Sequence, residues 1–201
     1  MYKVYGTRTN RGNRSFRVIW ALEELGFDYK VVDTAPRSDA MFAVNPLGQA
    51  PSMQDGDHTL TDSLAILHYL TGKTGTLTHP QGTPARALVD ARINFVLTEI
   101  EAPIWLLARH AFVLPEKDRA PGMRPIVEAE IARSEKRFAM LLAGNPYFAG
   151  DTFTIADVVA GHCLHWAESA NIPLQSETVQ SYLSSMRARP AWSRALGKDT
   201  A

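Results

Sequence analysis

The stretch Asn45-Pro46-Leu47-Gly48-Gln49-Ala50-Pro51 constrains this chain more than any other. Asn-Pro favours a turn, Gly48 tolerates a positive φ, and Pro51 has no N–H for a β-ladder. A proline between a loop and a strand is one place where a cis peptide bond is tolerated at small cost. With Ala50–Pro51 cis, Ala50 presents its N–H and C=O outward, where a peptide-like ligand can pair with them as an added strand. The alternative is a surface turn that happens to hold two prolines. The flanks favour the first reading: a strand–helix–strand segment precedes the stretch, and Asp62-Ser63 opens a helix just after it.

Before the turn, Lys3–Tyr5 reads as a short strand ending at Gly6, followed by a polar loop over residues 7–14. Val18, Ala21, Leu22 and Leu25 recur at helical spacing. Gly26 sits at the C′ position, where Leu22 can meet Phe27 across a Schellman-type end. Tyr29–Val32 reads as a second strand, so the unit is βαβ with parallel strands. Residues 34–44 are weakly patterned and suggest an irregular helix. Ser52–Gln54 and Thr59–Leu60 flank Asp55-Gly56-Asp57, a hairpin signal. Asp62 then N-caps a helix carrying Leu64, Ile66, Leu67 and Leu70, with Gly72 as its expected end.

Residues 73–83 carry little apolar periodicity and read as a linker. Beyond them the pattern is helical throughout. Pro84 suits a first turn, and Ala85–Phe112 is long and apolar on more than one face, with Pro103 expected to kink or break it. Residues 115–125 hold three prolines and form a connector. Val127, Ile131, Ser134, Phe138 and Leu141 mark the buried edge of the next helix, which should stop at Gly144-Asn145-Pro146. Thr154 and Asp157 form a T-x-x-D capping box, with Phe153 and Val158 placed as a hydrophobic staple. The helix they start, 155–170, is apolar all round and should be the central buried one. A last helical stretch runs from Val179 to Leu196. The expected fold is α+β with two domains: a thioredoxin-like βαβ–ββα domain over 1–73, a linker over 74–83, and an all-helical domain over 84–201.

The chain of 201 residues has a formal net charge of zero. No Lys or Arg run forms a stripe, so nothing in the composition marks a nucleic-acid binder. The longest apolar runs fall short of a membrane span, and no signal-peptide core stands at the start. The one cysteine, Cys163, cannot form an internal disulfide. These features read as a soluble, cytoplasmic protein. His162 and His165 lie three apart on the 155–170 helix with no other ligand nearby in sequence. Packing histidines explain them better than a metal site, and no metal is expected. Cys163 reads as a small buried apolar residue.

Three motifs, Asn45–Pro51, Asp62–Leu70 and Phe153-Thr154-Ile155-Ala156-Asp157, stand in an order and spacing that resembles the glutathione transferase superfamily over nearly the whole chain. The close of the chain, Met186-Arg187-Ala188-Arg189-Pro190-Ala191-Trp192, resembles that of many bacterial members. The resemblance implies glutathione as co-substrate, a thioredoxin-like glutathione-binding domain, a helical domain that forms the electrophile pocket, and a detoxifying homodimer. In the family Asp62-Ser63, more often Glu-Ser, grips the γ-glutamyl end. Helix-start N–H groups and the Ser63 hydroxyl suit a carboxylate, while the alternative for Asp62 is a plain N-cap. Ala50 would pair its backbone with the cysteinyl residue, Pro51 would shape that turn, and Gln49 would reach the glycyl side.

The remaining chemical task is making a thiolate. A cysteine thiol titrates near about 8.5, and lowering that by about two requires roughly 2.7 kcal/mol of selective stabilisation of the anion. A helix start with one or two donors supplies it. The family places Tyr, Ser or Cys at the end of the 7–15 loop, and this loop has neither Tyr nor Cys. The usual catalytic position falls on Gly12 or Asn13, a departure from the pattern. Asn13 is the first candidate and Ser15 the second, with Thr9 a further hydroxyl. Helix capping is the alternative role for Asn13 and Ser15. Arg11, Arg14 and Arg17 add positive potential. Trp105, Arg109 and His110, after the Pro103 kink, are the candidate pocket residues. The rivals to a transferase are a glutathione-dependent isomerase or disulfide reductase, and a non-catalytic interaction module. Isomerase members show Ser-Ser-Cys-Ser-Trp-Arg-Val where this chain has Gly12-Asn13-Arg14-Ser15-Phe16-Arg17-Val18, and no C-x-x-C exists for a dithiol mechanism.

Overall fold

The computed structural model describes residues 1–7 and 13–197. The chain forms two compact units, Met1–Pro80 together with Met186–Ala201, and Gln81–Ser185. The stretch from Met186, placed above with the helical domain, therefore packs with the first unit.

In the first unit four strands, β1 (Tyr2–Gly6), β2 (Tyr29–Asp33), β3 (Ser52–Asp55) and β4 (His58–Thr61), form one sheet in the order β2-β1-β3-β4. β1 and β2 are parallel, as a βαβ unit requires, and the other two pairings are antiparallel. β3 and β4 pair Asp55 with His58, so Gly56-Asp57 is a two-residue hairpin, with Gly56 at φ 58°. α1 (Ser15–Leu25) buries Phe16 through Leu22 without a break. It ends as expected, at Gly26 with φ 67° and with Phe27 N–H donating to the Leu22 carbonyl at 3.0 Å. The irregular segment after β2 contains one short helix, α2 (Asp39–Phe42), capped by Ser38.

α3 (Ser63–Thr74) runs past the expected stop at Gly72. Gly75 takes the left-handed cap instead, at φ 69°, with its N–H on the Thr71 carbonyl. Gly72 is tolerated inside because Thr71, Lys73 and Thr74 continue the helix. Lys73 reaches Asp55 at 2.7 Å, and Tyr69 donates to the same carboxylate at 2.6 Å. The chain returns to this unit at its close. α9 (Pro190–Ala195), with Pro190 in its first turn, packs on α1. The Trp192 ring meets Phe16 and Trp20 edge-on, each at 4.7 Å. Arg189 grips the Glu24 carboxylate through two nitrogens at 2.6 and 2.8 Å, and Trp20 Nε1 donates to it as well.

The second unit is helical. α4 (Pro84–Phe95) is capped by Thr83, whose hydroxyl accepts from Arg86 N–H. Pro103 neither breaks nor sharply ends the long helix. The backbone widens into a π-helical turn over Val96–Glu101, resumes as α5 (Ala102–Ala108), and widens again over Arg109–Val113. π-Turns let a helix absorb a residue that cannot donate an N–H. A 3-10 turn at Glu116–Asp118 lies in the proline-rich connector. α6 (Met123–Leu142) ends through Ala143 and Gly144, both with positive φ. α7 (Ile155–Ser169) is buried from Ile155 through Ala167, and its Thr154–Asp157 capping box is formed on both sides. Asp157 also accepts from Phe148 N–H at 2.7 Å and from Tyr182 Oη at 2.7 Å, the latter on α8 (Glu177–Arg187). The buried rings Phe138 and Phe148 stack at 3.9 Å. Among the described residues no helix is long and apolar enough to cross a membrane.

Candidate functional site

One end of the four-stranded sheet gathers the sequence-marked pieces. β1 stops at Gly6, and Tyr5 pairs with Ser52, the first residue of β3. Ser52 pairs with Thr61, the last residue of β4. This register sets Ala50-Pro51, which leads into β3, beside Asp62-Ser63, which leaves β4. α1 starts over the same end: a Cβ built on Gly6 would lie 2.1 Å from Ser15 Oγ and 3.7 Å from Ala50 Cβ. Gly6, at φ 153°, is therefore required by space as well as by backbone.

Ala50–Pro51 is cis. Asn45, only 4% exposed, holds the loop from inside. Its Nδ2 donates to the Gln49 carbonyl at 2.8 Å, and its Oδ1 accepts from Leu47 N–H at 3.0 Å. Pro51 is buried, Ala50 half-buried and Gln49 exposed. The Ala50 N–H and C=O make no hydrogen bond among the described residues, whereas the Leu47 N–H, both backbone groups of Gly48 and the Gln49 carbonyl are tied.

Asp62 is at φ 69°, ψ 128°, a costly conformation for a residue with a Cβ. Its Oδ1 accepts from Leu64 N–H at 2.8 Å and Ala65 N–H at 3.3 Å, so the N-cap expectation holds in detail. The helix start is thus less open than the sequence suggests. Two first-turn N–H groups are occupied by Asp62, which leaves the N–H and hydroxyl of Ser63. Ser63 Oγ accepts from Arg17 Nη1 at 3.4 Å, and both residues are buried.

At the start of α1, Asn13 Oδ1 accepts from Ser15 N–H and from Ser15 Oγ, each at 2.8 Å. The amide oxygen therefore caps the helix, and the Nδ2 group is what Asn13 has left to donate. Ser15 is wholly buried, with its hydroxyl proton given to Asn13. Thr9, Arg11 and Gly12 lie outside the described residues.

The candidate pocket residues belong to the helical unit. Trp105 on α5 is half-buried, with its ring 6.4 Å from that of Trp166. Arg109 is exposed and opens the second π-turn. His110 Nδ1 accepts from Ala120 N–H at 3.0 Å, which pins the ring to the connector and assigns the proton to Nε2. His162 and His165 are buried in α7, and Cys163 Sγ lies 3.7 Å from Glu101 Oε2. Among the described residues no group of three His, Cys, Asp or Glu is placed to hold a metal ion.

Two family models match this chain: the N-terminal domain of glutathione S-transferases over residues 2–72, and the C-terminal domain over 99–196. The chain belongs to the glutathione S-transferase family. Human glutathione S-transferase theta-1 is 31% identical over 146 residues, which span 68% of this chain and 61% of that protein. The crystal structure of a glutathione transferase from Methylococcus capsulatus superposes with a TM-score of 0.83 at 27% identity, covering 98% of both chains. A theta-class glutathione S-transferase from Xanthomonas axonopodis pv. citri, solved with glutathione bound, has a TM-score of 0.74 at 24% identity over 100% of this chain and 99% of that one. The fold is that of the family in both halves, a four-stranded sheet with helices followed by a helical domain.

Arg17, read above as one of three cations adding positive potential, makes a contact with Ser63 that the sequence did not convey. The available signal was its position inside Phe16-Arg17-Val18-Ile19-Trp20, a charged residue within an otherwise apolar helical run.

Proposed function

We propose that this transferase binds glutathione at the sheet end built by Ala50-Pro51 and Asp62-Ser63, and delivers the ionised thiol to an electrophilic carbon. The observation that carries this reading is Ala50. Its N–H and C=O, beside the cis bond, meet no partner among the described residues and suit the backbone of a cysteinyl residue added as a short strand. Ser63 supplies a hydroxyl and an N–H for the γ-glutamyl carboxylate. Asp62 keeps its second oxygen for the amine, and exposed Gln49 takes the glycyl side. Glutathione seen in the Xanthomonas relative supports the same ligand here.

Thiolate formation falls to Asn13 Nδ2 and the backbone at the start of α1, where the helix dipole favours an anion. Ser15 does not donate to the sulfur in this reading, because its hydroxyl proton is already given to the Asn13 oxygen. The protein's contribution is stabilisation of the anion and proximity of the reactants. Trp105, Arg109 and His110 are the residues of the helical unit proposed to bind the electrophile. A detoxifying role, a cytoplasmic setting and a homodimer accompany it.

The test is ultraviolet absorbance of glutathione bound to the protein, titrated with pH. A transferase gives an ionised thiol at neutral pH. Binding without ionisation would replace this reading with a non-catalytic module, and no binding at all would remove the site.

A further inference from the structure

We propose that Arg17 is a positioning residue for the ligand's carboxylate, acting through the hydroxyl of Ser63. The inference rests on the glutathione reading above and assigns a role to a residue that this reading does not use.

Arg17 is the third residue of α1 and is 1% exposed; Ser63 opens α3 and is 2% exposed. A buried guanidinium is a costly thing to place in a helix face made of Phe16, Val18, Ile19 and Trp20. Its Nη1 reaches the sheet end described above, donating to Ser63 Oγ at 3.4 Å. The direction of that bond is chemically forced. A guanidinium carries five donors and no acceptor, so the Ser63 oxygen accepts, and its own proton must point elsewhere. Among the described residues that proton has no acceptor. The two N–H groups after it, on Leu64 and Ala65, are held by Asp62.

The arrangement therefore fixes a hydroxyl as a donor and sets a permanent positive charge directly behind it. Both features favour an anionic acceptor over a neutral one. The ligand group selected is a carboxylate, which in glutathione is the α-carboxylate of the γ-glutamyl residue.

The experiment compares two ligands on four proteins by calorimetry. The ligands are glutathione and 4-aminobutanoyl-cysteinyl-glycine, which differs only in lacking that carboxylate. The proteins are wild type, Arg17→Met, Ser63→Ala and the double variant. Arg17→Met should weaken glutathione roughly tenfold and leave the decarboxylated peptide nearly unchanged. In the Ser63→Ala background the same substitution should cost little more, since the intermediary is gone. Arg17→Lys keeps the charge without the planar fork and should fall between wild type and Arg17→Met for glutathione alone. It also serves if Arg17→Met does not fold. Equal losses for both ligands, an undiminished effect in the Ser63→Ala background, or wild-type glutathione affinity in Arg17→Lys each overturn the proposal. Failure of the wild type to bind glutathione is a different result, and it removes the functional reading itself.

Discussion

Ser134 on α6 donates its hydroxyl to the backbone carbonyl of Glu99 at 2.8 Å, and Glu99 lies four residues before Pro103. In an α-helix that carbonyl would accept from residue 103, which as proline has no N–H to give. A side chain from the neighbouring helix thus supplies the donor that the proline lacks, at the turn where the backbone widens. Ser134→Ala should destabilise the protein by about 0.5–1.5 kcal/mol, the net worth of the hydrogen bond to the half-buried Glu99 carbonyl. In a Pro103→Ala background the cost should shrink, because residue 103 can then donate. Denaturant unfolding of the four proteins checks both statements.

Ser63→Ala should weaken glutathione binding by about 1–2 kcal/mol, the loss of one hydrogen bond to a charged group. Its effect on stability should be small, because Asp62 and not Ser63 caps α3. Calorimetry against a thermal melt separates the two.

Asn13→Ala and Ser15→Ala should part company. Asn13→Ala removes both the α1 cap and the Nδ2 donor, so it should cost about 0.5–2 kcal/mol of stability and raise the titration midpoint of the bound thiol. Ser15→Ala should lower stability alone, its hydroxyl being turned inward onto Asn13. Thiolate absorbance against pH, run on both variants, reads the difference. A shift in Ser15→Ala and none in Asn13→Ala would reverse the assignment.

The Asp55 carboxylate is held below its ordinary value of 3.8, first by the hydrogen bond from Lys73 and then by that from Tyr69. A carboxylate with a depressed folded-state pKa stabilises the fold fully above its unfolded pKa, and that contribution is lost as pH falls through the folded one. Its share of acid unfolding should therefore fall below pH 3.8. Lys73→Met should return the Asp55 midpoint upward, as read by carboxyl NMR titration.

Arg189→Ala should destabilise the first unit by about 1–3 kcal/mol, because Glu24, 9% exposed, loses a bidentate partner. Trp192→Ala should act in the same direction by opening the edge contacts with Phe16 and Trp20. Near-ultraviolet circular dichroism follows the tryptophans through unfolding.

Features set by short-range chemistry were legible in the sequence. The cis bond at Pro51, the hairpin at Gly56-Asp57, the end of α1 at Gly26 and the Thr154–Asp157 box each depend on a few adjacent residues. Those set by tertiary contacts were not. Gly72 resembles a stop, but helical neighbours and the Lys73–Asp55 pair carry α3 on to Gly75. Pro103 resembles a break, and a wider turn with a donor from α6 accommodates it. In the candidate site, Asp62-Ser63 stood out, whereas the Arg17–Ser63 contact spans 46 positions and leaves no periodic trace.

The two-piece composition of the first unit has a consequence for synthesis. Its strands leave the ribosome before the helical unit, yet Arg189 and Trp192, which pack on α1, are made only after it. Phe16 and Trp20 must therefore wait, uncovered on that side, while more than a hundred residues of the helical unit are translated. The nascent sheet unit thus stays exposed to aggregation on that side until residues 186–192 emerge, and a ribosome stalled before Met186 would carry a helical unit complete in sequence and a sheet unit still lacking its last piece.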